Sequence, residues 1–235
     1  MLAWPARERE TRFGWELQAT DGQSGRVNSA WPLAWTGEIG LDEAIDQVEA
    51  WYAARRRPAW FRLREDNAAP AELAPALARR GYAPDTPTLV MTCALEPRGR
   101  DRGVEIEPRP SESFFAPMRE ATPNAAEYAE RSDVARRTPA PRAFASLDID
   151  GRPAAVGASV ITGQLALIFI MRTASWARRR GLGRRILGSL MGWACANGAT
   201  SGYLQVEAAN AAAIALYAGE GFVTAYRYAY WRPRA

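Results

Sequence analysis

Two glycines set among arginines carry the clearest chemistry in the chain. The run Arg178-Arg179-Arg180-Gly181-Leu182-Gly183-Arg184-Arg185 follows a strand-like apolar segment, Leu165–Met171, and precedes an apolar helical pattern. Glycines at such a junction let the backbone curl, so that successive N–H groups can face one ligand. The start of the helix adds its partial positive charge, which makes a site for phosphate oxygens. Five arginines flank it. The run is no dinucleotide fingerprint, because Ile186 stands where G-x-G-x-x-G needs its third glycine. Nor is it a Walker loop, because Arg184-Arg185 replaces Lys-Ser/Thr. By spacing alone it is an anion site of moderate specificity, and a glycine-softened turn with solvated arginines is the alternative reading.

Composition removes most other catalytic units. Histidine is absent, so no Ser-His-Asp or Cys-His unit, histidine base or histidine-ligated zinc site can form. All 30 basic residues are arginine, which excludes Schiff-base lysine chemistry. Cys93 and Cys195 lie far apart with no CxxC; no metal is expected, and both read as small buried hydrophobes. A net charge of +4 spread over dispersed arginines admits an anionic ligand but shows no nucleic-acid stripe. Met1–Glu10 has no leader-like apolar core, and no run approaches about 18 apolar residues, which points to a soluble, cytoplasmic protein without a membrane partner.

With 235 residues, at about 150 per domain, the chain forms one large domain or two compact ones. Residues 96–110, rich in Pro, Gly and charge, read as a linker that leads into a short strand near Val104–Ile106. The sequence on its two sides is alike. Helix Leu41–Arg55, strand Trp60–Leu63, helix Ala71–Arg80 and strand Thr88–Cys93 match helix Leu182–Asn197, strand Tyr203–Val206, helix Ala211–Gly219 and strand Ala225–Trp231. Trp51 to Tyr82 spans 31 positions and Trp193 to Phe222 spans 29, which suggests a duplicated unit. Ala143–Ile149 and Ala154–Val160 flank Asp150-Gly151, a hairpin signal, and Thr162-Gly163 turns the chain into Leu165–Met171. Residues 111–137 read as one or two polar helices interrupted near Pro117 and Pro123.

Arg178-x-x-Gly181-x-Gly183, Leu204-Gln-Val206, Asn210 and Leu216-Tyr217-x-x-x-Gly221-Phe222 together resemble the Gcn5-related N-acetyltransferase (GNAT) superfamily over roughly residues 104–235. The segment Asn210–Tyr217 is most similar to ribosomal-protein alanine N-acetyltransferases. The resemblance implies an α/β fold of two tandem GNAT-like mixed-sheet halves, each a central sheet flanked by helices. Residues 1–100 would be a degenerate half, and residues 101–235 the catalytic acetyl-CoA-binding domain. It also implies acetyl-CoA as donor, with its pyrophosphate on the amides of Arg179, Arg180, Gly181, Leu182, Gly183 and Arg184 beside Arg178. The pantetheine arm would pair with the strand edge at Met171, Arg172 and Thr173, where that strand splays from Tyr203–Val206, and Asn210 would contact the arm or cap a helix.

The implied reaction is direct attack of a primary amine, in a small molecule or at a peptide N-terminus, on the thioester. It needs a base for the ammonium proton, amides for the oxyanion and an acid for the thiolate. Tyr217 matches the family's acid. Where the alanine acetyltransferases carry a glutamate, this chain has Gln205, which takes no proton; Glu207, two residues on and on the same strand face, is the substitute, alongside Glu127, Glu130 or a water chain. The alternative to an enzyme is a non-catalytic acyl-CoA-binding sensor or regulatory module. In the first half Glu38, Asp42 and Glu43 stand where the arginine loop would be, which opposes a pyrophosphate there. Six of the nine tryptophans lie in that half, as core or as a wall for the acceptor.

Overall fold

The computed structural model describes residues 4–66, 70–99, 101–122 and 124–234. The chain forms two compact units. Unit 1 comprises Met1–Pro5, Val90–Val206 and Asn210–Ala225, and unit 2 comprises Ala6–Leu89, Glu207–Ala209 and Tyr226–Ala235. Each holds a mixed sheet flanked by helices, the α/β class read from the sequence.

In unit 2, β1 (Glu8–Arg12) and β2 (Trp15–Ala19) pair antiparallel, with Arg12 opposite Trp15. The link Phe13-Gly14 has φ of 51° and 84°, and a double positive φ gives the primed turn whose twist suits a hairpin. A Phe in that place carries no turn signal, so this hairpin is absent from the sequence reading. β3 (Ala30–Pro32) pairs antiparallel with β2 and parallel with β4 (Phe61–Arg64), and α1 (Leu41–Ala53) joins β3 to β4. Helix α1 buries Ala44, Ile45, Val48, Trp51 and Tyr52, an i, i+1, i+4, i+7, i+8 stripe. These pack with Trp15, Phe61 and Leu63, and with Leu73 and Leu77 of α2 (Leu73–Arg79). Trp15 meets Phe61 edge to face at 6.1 Å, so core packing is the role of this tryptophan.

In unit 1, β6 (Glu105–Glu107), β7 (Arg142–Ile149), β8 (Arg152–Thr162) and β9 (Leu165–Thr173) pair antiparallel in chain order. Asp150-Gly151 turns β7 into β8 with φ of 52° and 74°, as that dipeptide predicts. Helix α5 (Leu182–Ala196) then carries the chain to β10 (Ser201–Glu207), parallel to β9. Helices α3 (Glu112–Glu120), α4 (Ala125–Arg137) and α6 (Ala211–Ala218) complete the unit. The expected break at Pro117 does not occur. Pro117 sits inside α3 among buried Phe114, Phe115 and Met118, and this burial offsets the one hydrogen bond a proline removes. Pro123, Arg100 of the expected linker and the first three residues lie outside the described set.

Strands β5 (Tyr82–Ala94) and β11 (Val223–Pro233) each belong partly to both units. The last residues of β5 run beside β10 in unit 1. Residues 228–231 of β11 pair antiparallel with β4 in unit 2, Tyr230 opposite Arg62.

Candidate active site

β9 and β10 pair at three positions only, Leu165 with Ser201, Ala166 with Gly202 and Leu167 with Tyr203. Beyond them the parallel ladder stops, which leaves the β10-facing edge of residues 168–173 unpaired by β10. On its other side β9 stays paired to β8 through Thr173, but with a shift: Val156 opposes Arg172 and Ala158 opposes Phe169. Between these pairs two residues on β9, Ile170 and Met171, answer one on β8, Gly157, which is a β-bulge. Ile170 sits in it at φ 50°, a conformation that a β-branched side chain adopts only under constraint. Gly157 lies opposite. A Cβ there would stand 2.5 Å from Met171 Sδ and 2.7 Å from Ile186 Cγ2, so bulge and α5 close on a bare backbone.

After Thr173 the chain makes a short 3-10 turn, Ser175–Ala177, and enters the arginine loop. Arg179 at φ 62° and Gly181 at φ 74° are both left-handed, two positions apart. Such alternation turns successive N–H groups to one side. The Gly181 carbonyl accepts from the N–H groups of Arg184 (3.1 Å) and Arg185 (3.2 Å) and so starts α5. No side chain caps this helix and no acidic residue stands in its first turn, so the amides of Leu182 and Gly183 lie ahead of the helical ladder. A Cβ on Gly183 would lie 3.3 Å from Leu216 Cδ2 and 3.9 Å from Thr173 Oγ1, so the end of β9, the start of α5 and α6 converge here.

Neighbouring charges sort the five arginines. Arg184 pairs with Glu220 at 3.0 Å, and Arg98 meets the same carboxylate at 2.6 Å. Arg185 forks onto Asp101 at 2.7 and 2.9 Å. That bond, with a further one from the Gly103 N–H, holds the Asp101 carboxyl down at about 2. Arg178, Arg179 and Arg180 are exposed. Glu120, at the end of α3, accepts from both the Ser175 hydroxyl and its backbone N–H. These bonds, then the nearby charges of Arg152 and Arg178, keep its carboxyl below the usual range. Arg152 also lies 4.3 Å above the Trp176 ring.

The other expected residues fall as follows. Met171, Arg172 and Thr173 are half-buried at the end of β9, where Arg172 donates to the Met171 carbonyl at 2.9 Å. Asn210 caps α6 by accepting from the Ala213 N–H at 3.1 Å. Tyr217 is buried, its ring 6.1 Å from Phe222. β10 buries Leu204 and Val206 on one face and carries Gln205 and exposed Glu207 on the other; Glu207 groups with Ala208 and Ala209 in unit 2. Glu127 is tied to Arg131 within α4 at 2.9 Å, and Glu130 is buried on that helix. In unit 2, α1 begins at Gly40 with Asp42 and Glu43 in its first turn, the reverse charge of α5. Cys93 and Cys195 are half-buried free thiols, less enclosed than the sequence suggested.

Three features escaped the sequence reading: the Ile170 bulge, its Gly157 counterpart, and the Glu120–Ser175 tie. An isolated glycine inside the apolar strand Ala154–Val160 was the available signal for the second. Among the described residues no cluster of three or more Cys, Asp or Glu is placed to hold a metal, and no helix is long and apolar enough to cross a membrane.

Comparison with known proteins fits this geometry. The family model described as "Probable histone acetyltransferase Rv0428c C-terminal" matches residues 1–231. The chain is 29% identical over 232 residues to an uncharacterized N-acetyltransferase, YobR, of Bacillus subtilis, covering 94% of this chain and 90% of that one. It is 28% identical over 210 residues to the probable histone acetyltransferase Rv0428c of Mycobacterium tuberculosis, covering 87% of this chain and 63% of that protein's length. In fold it is similar to a GCN5-related N-acetyltransferase from Kribbella flavida, with a TM-score of 0.72 at 17% identity over 98% of this chain and 90% of that one. A tandem GNAT protein from the clavulanic acid biosynthesis pathway has a TM-score of 0.59 at 16% identity, over 83% of this chain and 70% of that one. With its splayed strands and amide-lined loop, the chain is an acetyltransferase of the GNAT type and belongs to the family of the Rv0428c C-terminal region.

Proposed function

We propose that the second half of the chain takes an acetyl group from acetyl-CoA and delivers it to a primary amine, of a small molecule or a peptide N-terminus, by direct attack. The observation that carries this reading is the ending of the β9–β10 ladder at Leu167 and Tyr203, with the Arg179–Gly183 amides directly beyond β9. The residues present suit such a donor. The amides of Arg179–Arg184 and the side chain of Arg178 would hold the pyrophosphate, the free edge at Met171, Arg172 and Thr173 would pair with the amide-bearing arm, and Asn210 would contact the arm while capping α6. Acetyl-CoA supplies an activated thioester; the chain supplies position and proton transfer.

Tyr217 is the proton donor to the departing thiolate, and Glu207 takes the ammonium proton. Glu127 suits the base role less, because its carboxylate is engaged by Arg131. The first half is a degenerate GNAT-like domain, residues 1–100, and the second, residues 101–235, is the catalytic one. The parallel pairs β3–β4 and β9–β10, each bridged by a helix, support that duplication. The acidic start of α1 supports a single donor site.

A panel of amines assayed for thiol release from acetyl-CoA tests the reading. Release that needs both an amine and an intact Gly181 establishes the transferase. Saturable CoA binding with no release for any amine would instead show a non-catalytic acyl-CoA sensor.

A further inference from the structure

Glu220, in the turn that follows α6, holds two guanidiniums on one carboxylate. Its Oε1 lies 3.0 Å from Arg184 Nε, and its Oε2 accepts from Arg98 Nη1 at 2.6 Å. Arg184 stands in the first turn of α5, directly after Gly183, whereas Arg98 belongs to the segment between β5 and β6. All three residues lie in unit 1. We propose, on the acetyl-CoA reading above, that Glu220 sets the affinity for the donor by competing with its phosphates for Arg184. The guanidinium passes from carboxylate to phosphate as the donor binds and returns as CoA leaves.

The two ion pairs are unequal. The side chain of Glu220 is 12% exposed and that of Arg98 35%, while that of Arg184 is 61% exposed. The pair with Arg184 is thus a surface pair, which shifts an equilibrium by no more than about fivefold. Its release also leaves no bare charge. A carboxylate this enclosed would be costly to strip of its counter-ion, but Arg98 stays on it after Arg184 departs.

The resting place of Arg184 is shaped by Gly219, where a Cβ would stand 3.0 Å from Arg184 Nη2. The bare backbone lets the guanidinium lie over the end of α6, whose last carbonyls add partial negative charge. Arg185, one residue on, forks onto Asp101 at 2.7 and 2.9 Å, and a bidentate pair is harder to open. Arg184 is therefore the cation of this turn that moves more readily. CoA and acetyl-CoA carry the same phosphates, so the competing carboxylate weakens both and hastens release of the product.

The test is a double-variant cycle on the full chain, read by calorimetry of CoA binding. Glu220→Gln keeps the shape of the side chain and should tighten CoA about two- to fivefold. The KM for acetyl-CoA should fall by the same factor. Arg184→Gln should weaken binding, and on that background Glu220→Gln should bring no gain, because no guanidinium remains to be released. A role confined to stability would lower Tm without tightening CoA. Binding that is unchanged or weaker in Glu220→Gln, or a gain undiminished by Arg184→Gln, would overturn the inference and leave the transferase reading intact. A native chain that binds no CoA would overturn both.

Discussion

Glu120 grips Ser175 twice, taking a hydrogen bond of 2.6 Å from the hydroxyl and one of 2.8 Å from the backbone N–H. Ser175 opens the 3-10 turn that delivers the chain to Arg178, so one carboxylate on α3 fixes where the arginine loop begins. Glu120→Gln keeps the size but weakens both bonds. It should raise the KM for acetyl-CoA several-fold with kcat little changed. Because the folded-state carboxyl is held below its ordinary value of about 4.3, the anchor is fully present above that value. It is lost only as pH falls through the depressed one. The KM effect of the variant should therefore be flat from pH 5 to 8, and a titration centred in that range would disprove the assignment.

The Asp101–Arg185 fork makes a second pH-dependent contribution, this time to stability. Asp101 titrates at about 2 in the fold, against 3.8 for the free side chain, so its stabilisation is complete above 3.8 and fades between 3.8 and 2. Asp101 is largely solvated, and such pairs are worth only about 0.2–1 kcal/mol. Asp101→Asn should lower Tm by about 1–4 °C at pH 7 and flatten the acid limb of the Tm–pH curve. Melts from pH 2 to 7 would check both.

Gly181 separates strain from charge. At a hundredfold excess over its Kd, acetyl-CoA should stabilise the chain by ~2.7 kcal/mol, roughly 5–11 °C for this size. Space beside Gly181 is open, so Gly181→Ala meets only the φ penalty and should keep most of that shift. Gly181→Glu sets a carboxylate at the amides and should abolish it. Calorimetry should count one CoA per chain; two equivalent sites would mean that the first half is not degenerate.

Gly157→Ala drives a methyl toward Met171 Sδ, Ile186 and Leu190, at 2.5, 2.7 and 3.0 Å. Overpacking of this kind costs ~1–3 kcal/mol, or about 2–4 °C of Tm for each kcal/mol. Since Met171 lies in the bulge, the KM for acetyl-CoA should rise as well. Unchanged Tm and KM together would show that the bulge does not need a bare backbone opposite it.

Tyr217→Phe keeps a buried ring against Phe222 and removes one proton. A phenol near pKa ~10 stays protonated at neutral pH, and acid catalysis is typically worth ~10²–10⁴-fold. kcat should fall by that order with acetyl-CoA affinity within a few-fold. Retained kcat would move the acid elsewhere. A joint loss of binding and Tm would make Tyr217 a packing residue.

The sequence alone placed the glycine–arginine loop and the elements around it, because glycine at a strand–helix junction and an apolar helical period are local signals. Leu182, Ile186 and Leu190 are buried on one face of α5 as their spacing requires, whereas Trp193, at the end of the same stripe, is only half-buried, and Asp150-Gly151 makes its hairpin. Tertiary structure decided the rest. The Phe13-Gly14 turn takes positive φ at a phenylalanine because the β1–β2 ladder and the Trp15 packing around it outweigh the local penalty. Pro117 stays helical because its neighbours Phe114, Phe115 and Met118 are buried. The Ile170 bulge, the point where β9 and β10 part, and the grip of Glu120 on Ser175 all join residues far apart in the chain. No spacing rule can encode such contacts, since each depends on which strand or helix arrives alongside.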